Sequence, residues 1–491
     1  MAREHMTAAW PRGKRAACAA CMACALFGCT VGPNYVRPVA EAPPAYKEAI
    51  PWKPAEPRDQ QPRGPWWEVF HDPKLDALVA QVEISNQTIK GAEARVRQAR
   101  ALTRAARAAL FPTVGANVSA TRSGSGGGTA RTNSDGSIVQ GGGARNSYNV
   151  ALDINWEVDL WGGVRRTVEA SEASAQASVA DLESARLSAQ ALLAEDYFLL
   201  RVQDAEIKLL NDTVDAYQRS LQLTRNQYAV GVAARADVAQ AETQLKSTQA
   251  QAIDAGIQRA QLEHAIAVLV GKAPGDFSIA AEVVPTEFPA IPTGLPSELL
   301  ERRPDIAAAE RRTAAANAQI GVAEAAFFPS LTLSATGGFQ SSVLSQLFSL
   351  PSRFWSIGSA LAQVIFDAGL RRAQTDQAIA TYDENVANYR QTVLAGFQEV
   401  EDNLVALRVL EQEAAVQDEA VKSARESLTI TLNQYRAGTA NYLAVVIAQA
   451  TALANERTAL TILGRRLDAS VALIKALGGG WNATALEQRT S

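Results

Sequence analysis

Apolar and polar residues alternate from Tyr148 to Asp159. Tyr148, Val150, Leu152, Ile154, Trp156 and Val158 fall on one face, and Asn149, Ala151, Asp153, Asn155, Glu157 and Asp159 on the other. About ten alternating residues between aromatic ends fit a β-strand that crosses a membrane, apolar toward lipid and polar toward a lumen; in a soluble protein the same pattern is a half-buried strand. Val114, Val118 and Ala120 against Asn117, Ser119 and Thr121 repeat it, as do Leu331 and Leu333 against Thr332 and Ser334. A fourth segment, Phe354 to Phe366, is less regular. Four strands cannot close a membrane barrel, because bacterial barrels begin at about eight strands and lipid tolerates no open edge. Several copies must share one, with a strand count that is a multiple of four.

The remainder reads as helix. No proline occurs from Thr113 to Ala273, and after Pro329 only Pro351 remains. Val164 to Ala229 and Leu370 to Ala437 predict uninterrupted helices of 66 and 68 residues, about 100 Å each at 1.5 Å per residue. Each ends at a reversal, Gly231 or Gly438, followed by a return tract, Ala234 to Val270 or Tyr442 to Leu477. Length matching stacks Ser297 to Glu324 on the first return tract and Lys74 to Ala108 on the second, so that one long helix faces two shorter ones. The alanine-rich run Ala170 to Ala177 would let neighbouring helices approach closely.

The halves are copies of one another. Asn226-Gln227-Tyr228-Ala229-Val230-Gly231 recurs 207 residues later as Asn433-Gln434-Tyr435-Arg436-Ala437-Gly438. Gly163-Val164-Arg165-Arg166 recurs at an offset of 206 as Gly369-Leu370-Arg371-Arg372, and Leu110-Phe111-Pro112 at 217 as Phe327-Phe328-Pro329. The first copy thus holds about eleven extra residues, in the glycine-rich stretch Ser123 to Gly143. A repeat this long is a duplicated supersecondary unit rather than a solenoid period.

Arg3, Arg12, Lys14 and Arg15 precede an apolar run from Ala16 to Phe27, too short to span a membrane and suited to a signal peptide. Cys18, Cys21, Cys24 and Cys29 lack the closing spacing and proline of an iron–sulfur motif. Leu26-Phe27-Gly28-Cys29 resembles a lipobox, which makes Cys29 the lipidated residue of the mature chain. Removing residues 1–28 takes four basic and one acidic residue and moves the formal charge from −4 to −7. Nine of the twenty prolines lie between Pro33 and Pro65, an extended tether, and five more between Lys272 and Ser297 split the chain.

Composition removes other chemistries. With 47 basic and 51 acidic residues there is no basic excess for a nucleic-acid partner. Three scattered histidines, and cysteines confined to the first 29 residues, leave little for metal or thiol catalysis. Gly271-Lys272 lacks the rest of a phosphate-binding loop, and the Gly124 to Gly128 and Gly141 to Gly143 clusters precede a strand and read as loop. Glu399, Glu401 and Asp402 read as a solvated helix face. The chain is not expected to be an enzyme.

Val31-Gly32-Pro33-Asn34-Tyr35 after the lipobox, Trp66-Trp67 with Phe70 and Asp72, Leu299-Leu300-Glu301-Arg302-Arg303-Pro304-Asp305-Ile306, Ala326-Phe327-Phe328-Pro329 and Lys475-Ala476-Leu477-Gly478-Gly479-Gly480-Trp481 closely resemble outer-membrane-factor lipoproteins of the OprM and TolC type. The resemblance covers essentially the whole mature chain. It implies a membrane α+β fold: a homotrimer whose twelve-stranded outer-membrane barrel, four strands per chain, continues as a twelve-helix periplasmic barrel. It also implies the exit duct of a tripartite efflux pump, in the cell outer membrane, with a periplasmic adaptor and an inner-membrane transporter of the RND type as partners. No cofactor is implied beyond the lipid on Cys29. The domains would be a signal peptide (1–28), a tether and equatorial segment (29–73), a first repeat (74–272), an equatorial linker (273–296), a second repeat (297–478) and a tail (479–491).

In that family the helix reversals are the tips that meet the adaptor, here Gly231, Val232, Gly438 and Thr439. The closed gate uses polar links between tips, and Asp237 and Tyr435 match two of those positions, so the two side chains are expected to bond between neighbouring helices. Ala440 stands where some members carry a gate arginine, and Ala444 and Ile447 where some carry aspartates. Closure is therefore expected to lean on apolar packing near Ile447.

Overall fold

The computed structural model describes residues 30–47, 65–124, 131–132, 138–139, 144–282 and 302–479. The expected signal peptide, Cys29, residues 48–64 of the expected tether, residues 283–301 across the expected linker, and the tail beyond Gly479 lie outside them, as does most of the glycine-rich stretch. The chain divides into two compact units, one holding Met1–Arg37, Gln98–Ala175 and Arg311–Val386, the other Pro38–Arg97, Gln176–Glu310 and Ala387–Ser491.

The first unit carries the sheet. Strands β1 (Thr113–Ser123), β2 (Arg145–Val158), β3 (Ser330–Ser341) and β4 (Arg353–Ala362) pair antiparallel in the order β1-β2-β3-β4. The registers align like with like. Val114, Ile154 and Ile357 share a row with Ala335, Leu152 and Trp355 share the next, and Val118, Val150 and Phe339 a third. On the opposite face Asn155 meets Ser334, and Asp153 meets Thr336, whose hydroxyl donates to the Asp153 carboxylate at 2.9 Å. The fourth strand ends at Ala362 rather than Phe366: the run Val364-Ile365-Phe366 is apolar without alternation and forms no ladder. A two-residue ladder, Arg131–Thr132 with Ile138–Val139, lies between β1 and β2.

Residues 30–34 form a strap bound to this unit. The Val31 amide donates to the Trp161 carbonyl at 3.0 Å. Arg166, its side chain 4% exposed, donates to the carbonyls of Val31 and Gly32 and to the Asn34 side chain, and pairs with Glu169 at 2.8 Å. Asn317 donates to the Pro33 carbonyl. The strap fits because Gly32 and Gly321 both lack side chains: a Cβ on Gly32 would stand 2.5 Å from the Gly321 Cα.

The helices are α1 (Pro73–Ser85), α2 (Gln87–Ala108), α3 (Gly163–Ala229), α4 (Arg235–Leu269), α5 (Pro304–Ala325), α6 (Leu370–Arg436) and α7 (Tyr442–Ala476). The two long ones, α3 and α6, are 67 residues each. Ala170, Ala173, Ala175 and Ala177 of the alanine run are buried. In the second unit the main core gathers Leu75, Val79, Ile89, Leu193, Phe198, Ile306, Val400 and Leu473.

Two helical expectations are corrected by the structure. Lys74 to Ala108 is not one helix, because Asn86 leaves the helical region (ψ 124°) and caps α2, its side-chain oxygen accepting from Thr88 and Ile89. The second copy breaks 217 residues on, at Arg303, where Pro304 removes a donor and biases the preceding residue away from helix. The stacking partners are also exchanged. Asn86 donates to the Leu269 carbonyl at 2.9 Å, which joins α2 to the end of α4, and Arg303 donates to the Ala476 carbonyl at 3.1 Å, which joins α5 to α7. Helices stack within a copy, not across copies. Lengths could not decide this, since α2 and α5 are both 22 residues and α4 and α7 both 35.

The acidic trio on α6 is not simply a solvated face either. Glu399 pairs with Arg303 at 2.6 Å and Glu401 accepts from the Lys47 amide at 2.7 Å, while Asp402 accepts from Gln398.

Candidate functional site

The two reversals are built alike. At the end of α3, Gly231 takes φ +77°, its amide donates to Tyr228 and the Val232 amide reaches back to Gln227; at the end of α6, Gly438 takes φ +75° with Gly438-to-Tyr435 and Thr439-to-Gln434 bonds. These are Schellman caps, in which a left-handed residue satisfies the last carbonyls of a helix. A Cβ on either glycine would meet nothing within 4 Å. Val230 and Val232 are 75% and 69% exposed, and the Thr439 hydroxyl donates to the Gln434 carbonyl. The first tip presents bare apolar side chains beside a bare backbone.

The return helices start by two complementary devices. In α4 Asp237, in its first turn, accepts from the Ala234 amide at 3.0 Å. In α7 the corresponding position is Ala444, and Asn441 reaches forward instead to accept from the Ala444 amide at 3.0 Å. Each is one half of a capping box.

Tyr435 is 5% exposed and donates to the Thr224 hydroxyl on α3 at 3.2 Å, so Asp237 and Tyr435 are not bonded to one another within the chain. Tyr435 stacks at 60° on Tyr442, centroids 5.4 Å apart, in a small core with Tyr217, Leu221, Val238 and Val445. Burial raises the Tyr435 pKa, aided by the Asp237 charge and opposed by the Thr224 bond. Ile447 is 58% exposed and lines a cavity of about 270 Å³ with Ala424, Ser427, Thr431, Ala444, Ala448 and Thr451, none of them charged. The partner Thr224 gave no sign in the sequence, since threonine within a helix ordinarily bonds its own backbone, as Thr224 also does to Ser220.

A second electrostatic feature was not anticipated. Glu195 and Asp196 on α3 and Asp468 on α7 line a cavity of about 370 Å³ with Asn403 and Arg465. Burial pushes Asp468 up to about 7 and Asp196 to about 6; repulsion from Glu195 adds to both, and repulsion from Asp196 adds to Asp468, while burial also raises Glu195, against the pull of Lys475. Among the described residues no group of histidine, cysteine and carboxylate side chains is placed to hold a metal ion, and no helix is long and apolar enough to cross a membrane.

Residues 78–272 and 295–479 match the family described as outer membrane efflux protein. The chain belongs to that family. Among relatives of this outer membrane efflux protein, the toluene efflux pump outer membrane protein TtgF of Pseudomonas putida is 33% identical over 467 residues, 93% of this chain and 95% of the relative. The pyoverdine export outer membrane protein OpmQ of Pseudomonas aeruginosa is 32% identical over 425 residues, 85% and 88% of the two chains. Among solved structures, the outer-membrane channel OprN superposes with a TM-score of 0.85 at 32% identity, covering 92% of this chain and all of its own. The Campylobacter jejuni CmeC outer membrane channel gives 0.86 at 25% identity, covering 94% and 98%.

Proposed function

We propose that this chain is the outer-membrane exit duct of a tripartite efflux pump, passively conducting small molecules delivered through a periplasmic adaptor from an inner-membrane transporter of the RND type. The observation that carries the reading is the sheet: four strands with an exposed apolar face, Val118 77%, Trp355 78% and Ile357 76% exposed, and an outer edge of β1 and of β4 that no strand among the described residues of the same chain pairs. Such a sheet is viable in lipid only when copies close it into a barrel. Three copies give twelve strands and a passage, two only a side-chain-filled interior; strand count alone leaves the multiple of four open, and the resemblance to outer-membrane-factor lipoproteins supports three, so the reading is a homotrimer. The functions named for the relatives, toluene efflux and pyoverdine export, fit a duct whose cargo is selected elsewhere in the pump.

In this reading Cys29 carries the lipid that anchors the strap end of the chain, Gly231, Val232, Gly438 and Thr439 meet the adaptor, and Asp237, Tyr435 and Ile447 surround the closed mouth. No catalytic step is required. The test is complementation: a strain deleted for its own outer-membrane efflux component, carrying this chain with a periplasmic adaptor and an inner-membrane transporter, regains resistance to the exported compounds. A chain that reaches the outer membrane as a multimer yet restores nothing in that setting overturns the duct reading.

A further inference from the structure

In the first unit α2 and α5 hold corresponding places in the two sequence copies, 217 residues apart, but their surroundings differ. Asn317, Ala318 and Gly321 of α5 are buried, whereas their counterparts Arg100, Ala101 and Arg104 on α2 are exposed. The reason is a missing neighbour. Within each copy the short helix meets the long one that follows: Thr313 of α5 donates to the Asn385 carbonyl of α6, and Thr103 of α2 to the Ser171 carbonyl of α3. Between copies α5 also meets α3, where a Cβ on Gly321 would lie 2.9 Å from the Arg166 Cγ. The counterpart of that second contact joins α2 to the start of α6, with Arg104 in the place of Gly321 and Arg372 in the place of Arg166. Both arginines are exposed, and neither has a hydrogen bond or ion pair to a described residue.

We infer that this counterpart contact forms between chains: the exposed flank of α2 in one copy docks on the first turns of α6 in the next, Arg104 ion-paired to Asp376 beside Arg372. Charge supports the pairing. Arg166 is answered inside the chain by Glu169, but the counterpart of Glu169 is Thr375, so Arg372 lacks that carboxylate. Asp376, one turn beyond Arg372, supplies one. Its counterpart Ala170 is 3% exposed, whereas Asp376 is exposed and without a described partner. Volume supports it as well. The crevice within the chain is filled by Gly32 and Pro33 of the strap, which is possible because Gly321 has no side chain. Each chain has one strap, already seated, and at the second crevice the Arg104 side chain supplies the missing bulk. The contact joins two different surfaces, so it is head-to-tail, and such contacts close into rings when their rotation allows.

The inference rests on the shared-barrel reading, and its test separates the two. In the chain, the Gly321 Cβ position and the Arg166 Cβ are at most one C–C bond further apart than 2.9 Å, about 4.4 Å and inside disulfide range. The double variant Arg104→Cys with Arg372→Cys, oxidised with copper phenanthroline in membranes, is therefore expected to give a ladder of covalently linked copies that collapses on reduction, with no ladder from either single variant. If the double variant does not assemble, charge exchange decides: Arg104→Glu and Asp376→Arg each lower the detergent-resistant oligomer several-fold, and the two together restore it. An oligomer by native mass spectrometry without the interchain link, or without mutual rescue where that arm is used, overturns this contact and leaves the shared barrel standing. A monomer overturns both.

Discussion

Arg303 sits where the second copy breaks its helix, and its removal should open that joint. Its side chain is 8% exposed, bonds both carboxylate oxygens of Asp305 at 3.0 and 2.6 Å, pairs with Glu399 at 2.6 Å and donates to the last carbonyls of α7 through Ala476. Burial alone would lower its pKa, but Asp305 and Glu399 outweigh burial and raise it, so the guanidinium is held charged. Removing one partner of a buried pair costs about 3 to 5 kcal/mol when the other is stranded. Here Asp305 and Glu399 are 35% and 52% exposed and can rehydrate, which brings Arg303→Met down to about 2 to 3 kcal/mol. At 1.36 kcal/mol per tenfold, the amides of residues 307–312 should exchange about 30- to 150-fold faster by hydrogen-exchange mass spectrometry. Asn86→Ala, the uncharged counterpart, loses an N-cap and one carbonyl bond, about 1 to 2 kcal/mol, and should accelerate residues 88–93 about 5- to 30-fold. Equal or reversed effects, or acceleration spread over all of α3, would refute the view that a buried charged joint and a neutral cap do the same work at different strengths.

Gly231→Trp or Gly438→Trp should leave the multimer intact and abolish transport, because the bulk lies where no chain atom is near; unchanged drug susceptibility in a strain dependent on this duct counts against the tip assignment. Tyr435→Phe loses one neutral hydrogen bond, about 0.5 to 1.5 kcal/mol, and should raise bilayer conductance of the isolated assembly modestly. Asp468 and Asp196 hold protons in the folded chain that an unfolded carboxyl near 4 has lost, so stability is greatest below that value and falls as pH rises through about 6 to 7. The melting temperature in detergent should be lower at pH 8 than at pH 5, and Asp468→Asn should flatten that slope; an unaltered slope rejects the cluster as its source.

The strands and long helices were legible because alternation and proline-free length are local properties. Val114, Ile154 and Leu333 declare their face wherever their partners lie. The breaks were not, because Asn86 sits in a sequence otherwise suited to helix and reveals its role only when Leu269 offers it a carbonyl. Pro304 lies inside the tract Ser297 to Glu324 that was expected to be one helix, and which helix end the break would meet depended on Arg303 finding Ala476. The strap cradle was hidden for the same reason: Gly321 reads as an ordinary weak helix position until Gly32 is laid against it.

A duplicated chain must solve each helix end twice, and the two copies solve it with different chemistry. At the reversals this difference reaches the candidate gate. Asp237 brings a carboxylate to the first tip, where the amino-terminal end of α4 favours it and the Ala234 amide holds it, while the second tip carries Ala444 in its place and caps through the neutral Asn441. Each chain therefore offers the mouth one tip carboxylate from this pair of positions, already committed to its own backbone, and the Ile447 cavity adds none. A ring of such groups has little spare charge for gripping divalent cations. On the proposed gate reading, closure would then fall to the buried contact of Tyr435 on Thr224 and Tyr442, and to apolar contact around Ile447, neither of which weakens appreciably with salt.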